Sequence, residues 1–420
     1  MSNITFEAPR GMRDFYPEDM IWRNRVFDAW RAAAERFGFQ PYDACVVESL
    51  ELLQRKSGEE VSEQIYAFED KSGRKLALRP EMTPTLARMV AARQSRLPFP
   101  IKWYALAQCF RYERMTRGRK REHYQLNMDI IGSEDVLCEA EILGAAVSAM
   151  RSMGLPDAAW RIHVSSRALL GELLAKSGIP AEQHAAVFIA LDKRGKISDE
   201  EIAALLREEG LGDEAIAKTF ELLAVTTLDE AAALAGADSP AIANLRDLFA
   251  TATSMGYGDL LMFDIAVIRG LSYYTGIVFE AFDVQRKFRA IFGGGRYDSL
   301  LALVGGQPTP AVGMGFGDVV VGEVLREALG EACPVDRHGY AIGYMEAAQR
   351  PAAIALAAKL RAEGHNVDLA LIPQKPKHFF SKAGASVARY AIFLGPDDLT
   401  AGSAQAKDLV TREATPIALA

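Results

Sequence analysis

Between Cys109 and Gly132 the chain reads CFRYERMTRGRKREHYQLNMDIIG. Six of the eleven residues from Arg111 to Arg121 are cationic, too dense a charge for Glu113 and Glu122 alone to neutralise. Such a cluster suits an anionic partner, a polyphosphate or a nucleic-acid end. Directly after it, polar and apolar residues alternate. His123, Gln125, Asn127 and Asp129 fall on one strand face, and Tyr124, Leu126, Met128 and Ile130 on the other. Arg111 and Glu113 share a face across the turn. A solvated strand face has the same alternation, but short amides and a carboxylate suit fixed hydrogen bonds to a small polar ligand.

These residues need a sheet to hold them. The spacing of Ile21, Trp22, Val26, Trp30 and Ala33 predicts a helix over 18–38, with Gly38 as its C-cap. Strands are expected from Phe39 to Gly132, interrupted by a helix near Thr83–Arg96. A helix over Cys138–Met153 and a strand at Arg161–Val164 follow. From 166 to 255 the pattern is helical, as in SDEEIAALLREEG, where Ser198 and Glu201 form a capping box. Strand character returns in DLLMFDIAVI and YYTGIVFEAFDV, so the helical stretch reads as an insertion into an antiparallel-sheet domain. Beyond His338 a β-α-β-α-β order predicts a small domain with a largely parallel sheet.

The 420 residues favour two or three domains. With 55 acidic and 48 basic residues the net charge is −7, which excludes a general nucleic-acid coat but not a local basic site. Cys45, Cys109, Cys138 and Cys333 show no CxxC spacing, and are expected to be reduced core residues, not zinc ligands or disulfides. No apolar signal core and no run of eighteen apolar residues occurs, so the expected location is the cytoplasm, with no membrane contact.

FRYERMTRGRKREHYQ resembles motif 2 of class II aminoacyl-tRNA synthetases. LALRPEMTPTLARMV, VIRGLSYYTGIVFEAF and IFGGGRYDSLL, with GMRDFYPEDM and the dimer-type segment GFQPYDACVVESLELL, resemble the histidyl-tRNA synthetase set. Several motifs in order make the resemblance specific, where one glycine run would be weak. It implies an α+β fold, with a class II antiparallel sheet, flanking helices, a helical insertion and a small C-terminal α/β domain. The implied domains are catalytic (1–165 and 256–330), helical insertion (166–255) and anticodon-binding (338–420). The implied reaction joins histidine and ATP as histidyl-adenylate, then transfers the histidyl group to the 3′ end of tRNA-His, in a homodimer. ATP is a substrate that brings Mg2+, and no resident metal is expected.

By the same resemblance, Arg111 and Arg269 are catalytic, stabilising the charge that builds as carboxylate meets α-phosphate. Glu81, Thr83 and Gln125 hold the amino end of histidine, with Asp129, Tyr273 and Tyr274 around the imidazole. Arg111, Glu113, Arg119, Arg121, His123, Gly293, Gly295 and Arg296 meet ATP. Arg117, Lys120, Lys375 and Lys377 meet tRNA, the last two in PQKPKHFFSKAG, where Phe379 and Phe380 offer a stacking surface. The chain departs from the family in three places. Asp129 stands where Glu is commoner, and His123 where a Phe stacks on adenine. In PAVGMGFGDVVVGEVL, Asp318, Val319 and Val320 occupy the place of a helix-initial arginine that packs on ATP. Arg119 or Arg121 would then cover the triphosphate, or nucleotide binding is altered. A non-catalytic histidine sensor, the regulatory subunit of ATP phosphoribosyltransferase, is the rival reading. It needs neither the basic loop nor the C-terminal β-α-β unit.

Overall fold

The computed structural model describes residues 6–54, 64–194, 197–236, 238–268, 273–330 and 336–419. The chain divides into two units, Met1–Ala332 and Cys333–Ala420.

In the first unit α1 (Pro17–Arg36) starts at a proline, which needs no N–H donor there, with Glu18 and Asp19 in its first turn. It buries Val26, Ala29, Trp30, Ala33 and Ala34. β1 (Gln40–Pro41) follows, then a small antiparallel sheet of β2 (Val47–Ser49), β3 (Tyr66–Glu69) and β4 (Lys75–Leu78). After α2 (Thr83–Arg93) come the long strands β5 (Ile101–Phe110) and β6 (Glu122–Ile131), then α3 (Leu137–Ser152) and β7 (Trp160–Ser166).

Between β7 and the next strand the described elements are helical: α4 (Arg167–Lys176), α5 (Ala181–Asp192), α6 (Asp199–Glu208), α7 (Asp213–Leu222), α8 (Leu228–Ala235) and α9 (Pro240–Ser254). The Ser198–Glu201 capping box forms at the start of α6. The chain then returns through β8 (Leu261–Phe263), β9 (Ile277–Asp283), β10 (Phe292–Arg296) and β11 (Ala311–Gly317) to α10 (Asp318–Leu329).

Among the described residues the main sheet has the order β1-β5-β6-β11-β10-β9-β7-β8. Its inner pairings are antiparallel, and the two outermost, β1 with β5 and β7 with β8, are parallel. β5 and β6 pair without a break from Ile101 opposite Ile131 to Phe110 opposite Glu122. Leu126, Met128 and Ile130 join α1 and α3 in one core, with Trp30 edge-on to Phe316. Burying such a side chain contributes about 2 kcal/mol. With one face fixed in the core, a one-residue slip would expose all of it. The alternate residues are thereby held on the opposite face.

The second unit contains β12 (Tyr340–Tyr344), α11 (Arg350–Ala362), β13 (Val367–Leu369), α12 (Pro376–Ala385), β14 (Tyr390–Leu394), β15 (Ser403–Asp408) and β16 (Ala414–Ala418). β12 is parallel to β13 and β14, but β15 and β16 add antiparallel pairings. The expected largely parallel sheet is therefore a mixed one. Short polar stretches such as SAQAKD carry little strand signal, and Ala404 and Ala406 are buried only because β15 lies between β14 and β16 over the second core.

Among the described cysteines none is in a disulfide. Cys109 and Cys138 are buried, whereas Cys45 is exposed, contrary to its expected place in the core. Cys333 lies outside the described residues. No described helix is long and apolar enough to cross a membrane.

Candidate active site

Next to β6 in the same sheet lies a glycine-rich pair of strands, β11 and then β10. β11 sets Gly313 opposite Asp129, Gly315 opposite Asn127 and Gly317 opposite Gln125. A Cβ on Gly315 would overlap Gln125 Nε2, and one on Gly313 would overlap Asp129 Oδ1. The glycines let the polar side chains of β6 lie flat across their neighbour.

Over this floor opens a cavity of about 790 Å³. Arg111, Glu113, Arg119, Lys120, His123 and Gln125 line one side, and Gly293, Gly315 and Val320 lie across from them. Arg111 is aimed by its Nε, which donates to Pro80 O at 2.9 Å. Arg119 pairs with Glu113 at 2.7 Å. Burial, then the positive charges of Arg111 and Arg13, push the His123 imidazole down to about 3, so it is neutral near pH 7. A neutral ring can stack on a base without repelling the guanidiniums around it.

Beyond the cavity lies a buried polar cluster. Tyr297 donates its hydroxyl to Asp129 Oδ1 at 2.5 Å, while Asp129 Oδ2 is buried with no hydrogen-bond partner among the described residues. Burial pushes the Asp129 carboxyl up to about 7, against the lowering effect of that hydrogen bond. Tyr273 donates to Glu81 Oε2 at 3.4 Å and stacks obliquely on Tyr274, with ring centres 4.9 Å apart. Thr83 opens α2 beside Glu81. A carboxylate aimed into an aromatic enclosure can accept from a ring N–H and reject an apolar ring.

The sequence model described as "Histidyl-tRNA synthetase" matches residues 11–317. The chain belongs to the histidyl-tRNA synthetase family. It is 42% identical over 420 residues to "Histidine--tRNA ligase, chloroplastic/mitochondrial" of Arabidopsis thaliana, covering 98% of this chain and 84% of that one. It is 37% identical to "Histidine--tRNA ligase" of Opitutus terrae, covering 98% and 96%. Among solved structures, histidyl-tRNA synthetase from Nostoc superposes with TM-score 0.82 at 22% identity, covering 99% of this chain and 97% of that one. A Bacillus halodurans structure titled "ATP phosphoribosyltransferase regulatory subunit/histidyl-tRNA synthetase" superposes with TM-score 0.77 at 22% identity, covering 93% and 98%. At that identity both likenesses speak for the fold alone, the α+β fold of these synthetases.

Within this histidyl-tRNA synthetase fold, Arg111, Glu113, Arg119, Lys120, His123, Gln125 and Gly293 share one cavity. Other expected nucleotide residues are used elsewhere. Arg296 forks onto the fully buried Glu139 at 2.7 and 2.6 Å, and donates to the carbonyls of Ser133 and Asp135. Its donors hold α3 against the sheet. Arg121 lies over the Tyr112 ring at 3.9 Å and bonds the backbone of Glu113 and Arg10, away from the cavity lining. At Gly295 a Cβ would press on Ile277 O, the Val278 side chain and the Tyr274 ring, so the glycine lets these three close around it.

Arg117 pairs with Glu323 and Glu327 of α10, acids far along the chain that sequence spacing does not connect to the loop. Lys375 and Lys377 are exposed in the second unit, but Phe379 is buried there and Phe380 packs on Phe393. The expected stacking surface loses its first ring to the core. Arg269 lies outside the described residues.

Sequence reading also missed residues. Arg13 reaches Asp318 at 2.8 Å and so fixes the start of α10, where the family arginine is replaced. Arg286 and Arg289, from the β9–β10 connection, line the cavity together with Glu280. Tyr297 was legible only as part of the glycine motif IFGGGRYDSLL.

Proposed function

We propose that this chain is a histidine–tRNA ligase: it joins histidine to ATP as histidyl-adenylate with release of pyrophosphate, then passes the histidyl group to the 3′ end of tRNA-His with release of AMP. Membership of the family over nearly the whole chain supports the reaction. The observation that carries the site is that Arg111, His123 and Gln125 line one cavity, while Asp129, two pleats further along the same strand face, turns a carboxylate toward the tyrosine cluster.

In this reading the histidine carboxylate, already a nucleophile, attacks the α-phosphorus, so positioning and charge neutralisation are the main tasks. Arg111 meets the α-phosphate in a planar fork, and Arg269 is the second guanidinium, bridging the histidine carboxylate and the α-phosphate. His123 stacks on adenine. Glu81, Thr83 and Gln125 hold the amino end, and Asp129 with Tyr273 and Tyr274 encloses the imidazole. The triphosphate lies toward Arg119 and Lys120. Magnesium enters with ATP, and Glu113 and Glu280 are the cavity carboxylates that would hold it. No described group of three or more His, Cys, Asp or Glu forms a metal site of its own.

Arg117, Lys120, Lys375 and Lys377 contribute to tRNA binding. Residues 1–165 and 256–330 act as the catalytic part, 166–255 as its helical insertion and 338–420 as the anticodon-binding part, in a homodimer working in the cytoplasm.

The test is histidine-dependent ATP–pyrophosphate exchange, followed by histidylation of tRNA. Exchange with histidine and with no other amino acid is expected. Tight histidine binding without exchange would favour the sensor reading.

A further inference from the structure

Asp129 Oδ2 has a counterpart. The Tyr42 hydroxyl is also buried with no hydrogen-bond partner among the described residues. Tyr42 directly follows β1, and its N–H donates to Tyr104 O at 2.9 Å. Its ring leans on Trp103 with centres 5.7 Å apart, and Trp103 is the residue paired with Asp129 across β5 and β6. The ring also packs into the cluster that contains Tyr273, Tyr274 and Tyr297. Two separate chain segments therefore bring unsatisfied polar atoms to one buried spot. Folded proteins keep such atoms where a ligand or an ordered water completes them.

The chemical types favour a ligand with one donor and one acceptor. A neutral imidazole has both, on opposite nitrogens. An ionised Asp129 can only accept. Tyr42 can donate, because burial and then the neighbouring Asp129 charge hold its phenol protonated, well above the ordinary value. We propose that Tyr42 is a specificity-determining residue, its hydroxyl donating to one ring nitrogen of histidine while the other ring N–H donates to Asp129 Oδ2.

This deepens the reading of the site as a histidine pocket and rests on it. The shorter carboxylate of Asp129 is held by Tyr297 on its other oxygen, so Tyr42 supplies the second contact from across the sheet. Tyr274, which the resemblance places beside the imidazole, packs its ring against Gly295 and Tyr273.

The experiment compares wild type with Tyr42→Phe in two measurements. Equilibrium binding of histidine alone should weaken at least about tenfold, the loss of one hydrogen bond to a buried donor. In ATP–pyrophosphate exchange the KM for histidine should rise by the same factor, with the KM for ATP and kcat within about twofold of wild type. Unchanged histidine affinity would overturn the proposal and assign the hydroxyl to a bound water. A parallel rise in both KM values would overturn it in favour of a structural role. Wild-type protein that binds histidine without exchange would refute ligase activity yet leave the binding comparison decisive; wild type that binds no histidine would remove both.

Discussion

Arg13 Nη1 lies 2.8 Å from Asp318 Oδ2 and ties the segment ahead of α1 to the first residue of α10. The other carboxylate oxygen, Oδ1, accepts the Tyr124 N–H at 2.8 Å. Burial raises the Asp318 carboxyl, and the Arg13 charge is the largest influence opposing it. Arg13→Ala leaves this carboxylate unpaired and should cost about 3 kcal/mol in chemical denaturation. Adding Asp318→Asn should restore part of the loss, since a neutral amide needs no counter-charge.

Arg111 and Arg296 separate catalysis from stability. Arg111→Ala should lower ATP–pyrophosphate exchange by about two to three orders of magnitude, with the melting temperature changed by only a few degrees. Arg296→Ala strands the buried Glu139 and should destabilise the fold by about 3–5 kcal/mol. Matching losses of stability in the two variants would show that Arg111 is a structural residue.

Asp129 should leave a pH signature. Its folded value, about 7, lies above the ordinary carboxyl value of 3.8, so between these values the folded state holds more protons than the unfolded. Its contribution to stability therefore falls as pH rises across that window, by on the order of 1 kcal/mol per pH unit. Asp129→Asn should flatten this slope in melts taken from pH 4 to 7, and abolish histidine binding. Bound histidine, donating an N–H to the carboxylate, should shift the window of the wild type downward.

His123 acts with the opposite sign. Held down to about 3, it is neutral while the unfolded chain is protonated, so its contribution is lost as pH falls from about 6.5 toward 3. His123→Phe should remove that loss and keep the KM for ATP near wild type or lower it, because a phenyl ring buries more apolar area against a base. His123→Ala should raise the KM for ATP about tenfold. Equal nucleotide affinity in Phe and Ala variants would exclude stacking.

The alternation along β6 was legible because a strand repeats every two residues and Leu126, Met128 and Ile130 enter the core together. The helical run from α4 to α9 was legible for a similar reason, as caps and apolar spacing are local. What sequence could not supply is pairing across distance. Tyr297 and Asp129 are 168 positions apart, and Arg296 and Glu139 are 157 apart. An arginine beside a glycine run reads equally as a phosphate ligand or a buried tie, and spacing does not connect it to Glu139. Phe379 and Phe380 are adjacent and chemically alike, but Gly343 leaves room for the first ring alone to sink against β12.

The glycines under the cavity have an evolutionary corollary. Gly313 and Gly315 present bare main chain, and any larger residue there would collide with Asp129 or Gln125. That part of the pocket offers almost nothing for mutation to alter. An inhibitor resting chiefly on this main chain would leave resistance to arise at the rims, from the β5–β6 loop and the β9–β10 connection, where side chains can still be exchanged.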